Sequence, residues 1–177
     1  LTRKVLESQR ILTGAIFNVE RDRLVEENGM EVWREVVRHS GGAGGLPIFD
    51  DGRVALVKQY RHPAGSELLE IPAGKIENNE LPAVCAAREI EQEVGVRADR
   101  IEKLAEFYST PGFCDEKLYV YLATGLTPVP QELDHDEFIR IVYLSFAEAV
   151  EMARSGEIED SKTIVALLLA ERLIKSK

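Results

Sequence analysis

The stretch GKIENNELPAVCAAREIEQEVGV, Gly74 to Val96, crowds Glu77, Glu80, Glu89, Glu91 and Glu93 around one candidate helix, with Gln92 among them. On a helix, positions three and four apart share a face, so Glu89, Gln92 and Glu93 are expected to project together beside Cys85. Carboxylates held this close repel one another unless cations neutralise them, and hard oxygen ligands in this number suit Mg²⁺ or Mn²⁺. Arg88 sits inside the cluster, where it can tie glutamates into a fixed array, and a glycine-containing loop precedes the helix with Glu80 at its mouth. Spacing alone leaves two readings open, a divalent-metal site and a solvated acidic face.

The helix carrying the cluster is expected to begin at Pro82, which suits a first turn, and to stop at Gly95. Its apolar face is expected to run through Val84, Ala87, Ile90 and Val94, away from the carboxylates. Upstream, AIFNVERDRLVE and MEVWREVVRH read as two strands joined at the turn signal ENG. Gly41 to Gly45 interrupt the side-chain pattern and are expected to form a joint between an N-terminal β subdomain, residues 1–40, and a main domain, residues 41–177. LPIF, VALVKQYR, LLEIPAG, KLAEFYS, KLYVYLAT and FIRIVYLS read as strands of that domain. FAEAVEMARS and SKTIVALLLAERLIK read as helices, the second capped by Asp160 or Ser161. Helices around a mixed sheet give an α/β class, an α/β/α sandwich with a small antiparallel β unit in front.

Twenty-two Lys and Arg against 31 Asp and Glu give a formal charge of −9, which argues against a general affinity for nucleic acid or an anionic membrane. An anionic substrate must then be held by a few arginines or by metal ions. Cys85 and Cys114 are too few for a disulfide framework and read as free thiols in a reducing cytoplasm. No apolar run reaches the roughly 18 residues of a membrane span, and LTRKVLESQR lacks the apolar core of a secretion signal. Because the chain starts at Leu1 rather than Met, a few preceding residues are expected to be missing.

Gly74, five residues, Glu80, seven residues, then Arg88, Glu89, Ile90, Glu91, Gln92, Glu93, Val94, Gly95 and Val96 resemble the 23-residue signature of the Nudix hydrolases at every specified position except 92. That family cleaves nucleoside diphosphates linked to another group, with a loop-helix-loop that binds Mg²⁺ through its glutamates. The resemblance implies that the main-chain carbonyl of Ala73 and the carboxylates of Glu89 and Glu93 are metal ligands. It implies as well that Arg88 orients the glutamates and Glu80 holds the loop to the helix. The flanks VKQYRHPAGSELLEIPAGKIE, STPGFCDEK and GEIEDSKTIVALLLA resemble the ADP-ribose pyrophosphatase and nucleotide-sugar hydrolase branch, with Pro111 sixteen residues after Gly95.

A diphosphate needs counter-charge, and Arg61, at a strand end by the loop, and Arg38, at the end of the hairpin, are candidates with forked donors matched to phosphate. Trp33, the only tryptophan, reads either as core or, by the resemblance, as the aromatic that stacks on adenine, with Phe17 as a second face. This chain departs from similar members in carrying Arg34 after that tryptophan. The segment ELDHDEFIRI supplies Glu132, Asp134, Asp136 and Glu137, and its match to the family's mobile loop assigns the general base to Glu137. Glu116 is the candidate either for a contact to the substrate ribose or for support of residues that touch it.

The expected reaction is metal-assisted hydrolysis of ADP-ribose to AMP and ribose 5-phosphate, slowed because Gln92 puts a neutral amide where the resembling enzymes carry a carboxylate. The alternatives are hydrolysis of another nucleotide sugar such as GDP-mannose, and, because of Gln92, a non-catalytic nucleotide-binding module. A homodimer, with the N-terminal hairpin of one subunit serving the other's site, is expected from the glycine joint and the resemblance.

Overall fold

A computed structural model of the chain describes residues 3–77, 79–133 and 138–176. The chain divides into two compact units, one formed by residues up to Gly41 with Phe107–Lys117, the other by Gly42–Glu106 with Leu118 onward.

In the first unit three strands form an antiparallel meander: β1 Lys4–Thr13, β2 Asn18–Val25 and β3 Glu31–Arg38. The turn expected at ENG is present, with Gly29 in the left-handed region at φ 81° and its N–H donating to Glu26 O. β1 is a strand that the sequence pattern does not announce. Its side chains are almost all exposed, so no alternating apolar face marks it, and pairing with β2 is what makes it a strand. Within this unit the Phe107–Lys117 segment is tied to β3 by Val37 N–H to Phe113 O at 2.8 Å and Asp115 N–H to Val37 O at 3.1 Å. The first unit is therefore not contiguous in the chain.

In the second unit, β4 Gly42–Pro47, β7 Ala73–Lys75, β8 Val96–Tyr108 and β9 Lys117–Pro128 make a mixed sheet of order β7-β4-β9-β8, with β4 antiparallel to β7 and parallel to β9. β5 Arg53–Arg61, β6 Ser66–Glu70 and β10 Ile139–Ser145 form an antiparallel sheet of order β10-β5-β6. Helix α1, Pro82–Glu89, packs on β4; α2, Phe146–Ser155, and α3, Ser161–Lys175, pack on each other, with α3 also on β4 and β6. The α/β class with a mixed sheet and an N-terminal antiparallel unit is thus as expected.

Gly42 to Gly45 are not a joint. They lie in the buried strand β4, and the glycines are there because neighbours come too close for a side chain. A Cβ on Gly44 would sit 2.6 Å from Ala73 Cβ, and one on Gly45 would sit 2.5 Å from Ile90 Cδ1. Gly41, at φ 86°, ends the N-terminal stretch of the first unit. Ile90 is fully buried with Ala55, Val57, Val94, Val96 and Ala123, a burial that contributes about 2 kcal/mol by area.

Candidate active site

The expected single helix over 82–94 is an α-helix to Glu89 that continues as a π-turn over Ile90–Val94 and ends at Gly95, φ 72°. A widened turn leaves main-chain carbonyls to be satisfied from outside. Here the segment after β9 does so: Val129 N–H reaches Gly95 O at 2.9 Å, Glu132 N–H reaches Gln92 O at 3.1 Å, and Gln131 Nε2 donates to Glu93 O at 2.6 Å.

The buried face of this helix differs from the expected one. Cys85, Ala86, Glu89, Ile90, Glu93 and Val94 point inward, whereas Val84 is 54% exposed. Two glutamates therefore lie on the inner face, Glu89 at 7% and Glu93 at 2% exposure. The apolar count along the helix could not reveal this, because charged residues take inward positions only where partners await them.

Those partners come from the start of β7 and from Arg88. Glu93 Oε2 accepts from Ala73 N–H at 3.1 Å. The Glu89 carboxylate lies directly over Gly74: a Cβ there would collide with Glu89 Oε1 and Cδ and stand 2.8 Å from Oε2. Gly74 is required because the carboxylate occupies the place a side chain would take. Arg88 Nη1 donates to Glu89 Oε1 at 2.6 Å and to Gln92 Oε1 at 2.9 Å, while its Nε and Nη2 each reach Glu80 at 3.1 Å. Glu80 also accepts from Glu77 N–H at 3.3 Å, which pins the loop to the helix. The hydrogen bond with Glu80, and then Glu89, raise the Arg88 pKa above its ordinary value, so this guanidinium is a permanent cation. Burial pushes the Cys85 thiol up to about 12, which removes it as a nucleophile.

The arrangement fits a hard divalent cation. Glu89 and Glu93 bring buried oxygen donors to the main chain of Ala73–Gly74, and Gly74 leaves the room they need. Among the described residues, no three His, Cys, Asp or Glu side chains converge as a ligand set. Gln92 stands apart from this pair. Its amide oxygen serves Arg88, and its side chain borders an outer groove of about 480 Å³ that is also lined by Val84, Arg88, Arg97 and Pro130.

Arg61, at the end of β5, makes a fork on Glu70, Nε to Oε1 at 2.7 Å and Nη2 to Oε2 at 2.8 Å. Glu70 is 1% exposed and also accepts from Lys162. Arg61 is as expected at a strand end, whereas its neighbours Glu70 and Lys162, with Asp160 and Thr163, were not among the expected site residues. Two signals were present: a glutamate inside the apolar run LLEIPAG, and a lysine in the first turn of α3, where the helix dipole disfavours a cation.

Trp33, Phe17, Arg38 and Glu116 lie in the first unit. Trp33 is exposed, not core, with Arg23 at 6.0 Å from its ring centre, and Phe17 is exposed as well. Arg38 is held by three carboxylates, Glu20 at 2.8 Å, Asp22 at 2.6 Å and Asp115 at 3.3 Å, and Glu116 stands 3.4 Å from His39 Nδ1. Asp22 is buried, and its Oδ1 has no hydrogen-bond partner among the described residues. Glu137, the expected base, and Asp134 and Asp136 beside it, lie outside the described residues.

Residues 38–167 match the NUDIX domain. The chain is 36% identical over 169 residues to an ADP-ribose pyrophosphatase of Bacillus subtilis (strain 168), covering 94% of this chain and 91% of that protein. It is 39% identical over 168 residues to an ADP-ribose pyrophosphatase of Mycobacterium tuberculosis, covering 93% and 81%. Among solved structures, an ADP compounds hydrolase superposes with a TM-score of 0.86 at 22% identity, over 99% of this chain and 96% of that one.

Proposed function

Because the chain belongs to the NUDIX family and is a hydrolase, we propose that it cleaves the pyrophosphate of ADP-ribose to AMP and ribose 5-phosphate, with a divalent cation, Mg²⁺ or Mn²⁺, as cofactor. The observation that carries this reading is the pair of buried carboxylates, Glu89 and Glu93, set against the Ala73–Gly74 main chain and braced by Arg88. Glu89, Glu93 and the Ala73 carbonyl would hold the cation, whose chemistry is Lewis acidity toward the diphosphate oxygens and a lowered pKa for water. Arg88 keeps Glu89 in place through a fork shared with Glu80. Arg61 offers charge to the diphosphate. In the first unit, Trp33 and Phe17 present exposed rings for adenine, Glu116 contacts ribose, and Arg38 adds phosphate contact when it exchanges one of its carboxylates. The proton of the attacking water goes to Glu137.

The test is a panel of ADP-ribose, GDP-mannose and other nucleotide sugars, dinucleoside polyphosphates and dNTPs, incubated with Mg²⁺ and scored for phosphatase-sensitive product. ADP-ribose is expected to be turned over fastest. Tight ADP-ribose binding with no turnover on any member would mean a nucleotide-binding module instead.

Arg61→Ala is expected to raise the KM for ADP-ribose by roughly ten- to 150-fold, the loss of a charge-assisted contact worth about 1.5 to 3 kcal/mol. Glu70 keeps Lys162 in that variant, so no buried charge is orphaned. An unchanged KM would remove Arg61 from the phosphate site.

Gln92→Glu is expected to raise the metal-dependent rate at least about tenfold, some 1.4 kcal/mol of barrier. Glu has nearly the shape of Gln and keeps an oxygen for Arg88 Nη1, but adds a charge on the guanidinium that also braces Glu89, so its effect on the metal carboxylates passes through Arg88. An unchanged rate at saturating Mg²⁺ would make position 92 peripheral.

The functional species is proposed to be a cytoplasmic homodimer assembled through the N-terminal β unit, residues 1–40, with catalysis in residues 41–177. That unit exposes Val5, Ile11, Leu12, Ile16, Phe17 and Trp33, more apolar surface than three strands carry without a partner. Light scattering is expected to give twice the chain mass; a fully active monomer at micromolar concentration overturns the proposal. Among the described residues no helix is long and apolar enough to cross a membrane.

A further inference from the structure

The first turn of α3 reaches the end of β6, the strand paired with the one that carries Arg61. Glu70 lies between two cations, the Arg61 fork on both its oxygens and the Lys162 ammonium on Oε2. Lys162 Nζ also meets Asp160 Oδ1 at 2.9 Å. Asp160 caps α3, accepting from Thr163 N–H at 2.9 Å and from Thr163 Oγ1 at 2.6 Å. Thr163 Oγ1 in turn accepts from Ile71 N–H at 2.7 Å, two residues before the main chain that meets Glu93. The whole chain of contacts lies in the second unit and is at least half buried, apart from the outer part of Arg61.

A buried glutamate with one arginine partner would consume that arginine's charge. Burial acts to raise the Glu70 pKa, yet the hydrogen bonds and charges of Arg61 and Lys162 outweigh it and hold the carboxyl below its ordinary value. Glu70 is therefore an anion shared between two cations. Lysine in the first turn of a helix opposes the helix dipole, and only its two carboxylate partners make the position favourable.

We propose that Lys162 is a positioning residue for the diphosphate, acting through Glu70: by taking part of the Glu70 charge, it lets Arg61 keep its fork on Glu70 while its outer edge and remaining charge serve the substrate. This rests on the reading of Arg61 as a phosphate ligand. Lys162 itself need not touch the ligand. Arginine suits the role at 61 because its planar fork can hold Glu70 on one edge and present donors on another, which a lysine cannot do.

The experiment is calorimetric titration of ADP-ribose into the full chain in EDTA buffer, where no turnover occurs, together with kcat and KM in Mg²⁺. Lys162→Met is expected to weaken the Kd about tenfold, about 1.4 kcal/mol, and to raise KM to match with kcat within about threefold. The second arm is a double-mutant cycle with Glu70→Gln, which keeps shape and removes the charge that Lys162 shares. In the Glu70→Gln background, Lys162→Met should change Kd by less than about twofold. Lys162→Gln, still a donor to both carboxylates, is the second neutral variant and is read in place of Lys162→Met should the latter fail to give a cooperative melt. A wild-type Kd in the neutral variant, or the same loss in both backgrounds, overturns the proposal and leaves Arg61 as a ligand. If the wild-type chain neither binds nor cleaves ADP-ribose, the functional reading fails together with it.

Discussion

Glu93→Gln is expected to lower kcat for ADP-ribose about a thousandfold, about 4 kcal/mol of barrier, while the melting temperature stays within about 3 °C of wild type. The amide keeps an oxygen that accepts from Ala73 N–H and keeps the volume of a side chain only 2% exposed. What it loses is the charge that a hard cation needs. The choice of Gln over Ala follows from the structure. From sequence, Glu93 is expected to face the ions and not the core, so that truncation to Ala would leave the fold intact. In fact the carboxylate is buried, and truncation would leave the Ala73 amide without this partner, a cost of about 1 to 3 kcal/mol that would confuse the result. Wild-type kcat for Glu93→Gln at saturating Mg²⁺ would sink the metal assignment, and calorimetric titration with Mn²⁺ provides a second readout free of turnover.

Gly74→Ala is expected to cost about a hundredfold in kcat/KM, about 2.7 kcal/mol, from a single methyl group. The added Cβ meets the Glu89 carboxylate and lies 2.8 Å from its Oε2, so that side chain must swing away. The obstacle is the end of a side chain and not backbone, so the fold should survive, with a melting temperature lowered by less than about 4 °C. Displacing Glu89 also removes one acceptor from Arg88 Nη1, while Glu80 and Gln92 still accept from Arg88. Full activity in Gly74→Ala would mean that Glu89 works from a different position than the one seen over Gly74.

The helices were the most legible part of the fold. α2 and α3 run over Phe146–Ser155 and Ser161–Lys175, the same spans their pattern indicates, and Asp160 caps the second. Each combines a helical apolar period with a capping side chain, and both signals are local in sequence. β1 and the glycine-rich start of β4 were not legible. A strand whose side chains are nearly all exposed has no period to read, and a glycine-rich strand has no side chains to show one. In β4 the constraint comes from Ala73 and Ile90, residues far along the chain that lie against it.

At the site, the sequence by itself determined the chemistry available: the types and spacing of Gly74, Glu80, Arg88, Glu89 and Glu93, and the family they signal. It determined these because a helix fixes which residues share a face. Only the tertiary structure decided that the shared face is turned inward, with Glu89 over Gly74 and Glu93 on Ala73 N–H, while Val84 faces out. That orientation depends on where the partners of a buried charge lie, and they lie on β7, which local period does not sense. The same reason applies to Glu70. A lone glutamate in an apolar strand is tolerable only if it is paired, and one of its two cations, Lys162, is brought from 92 residues away by the packing of α3.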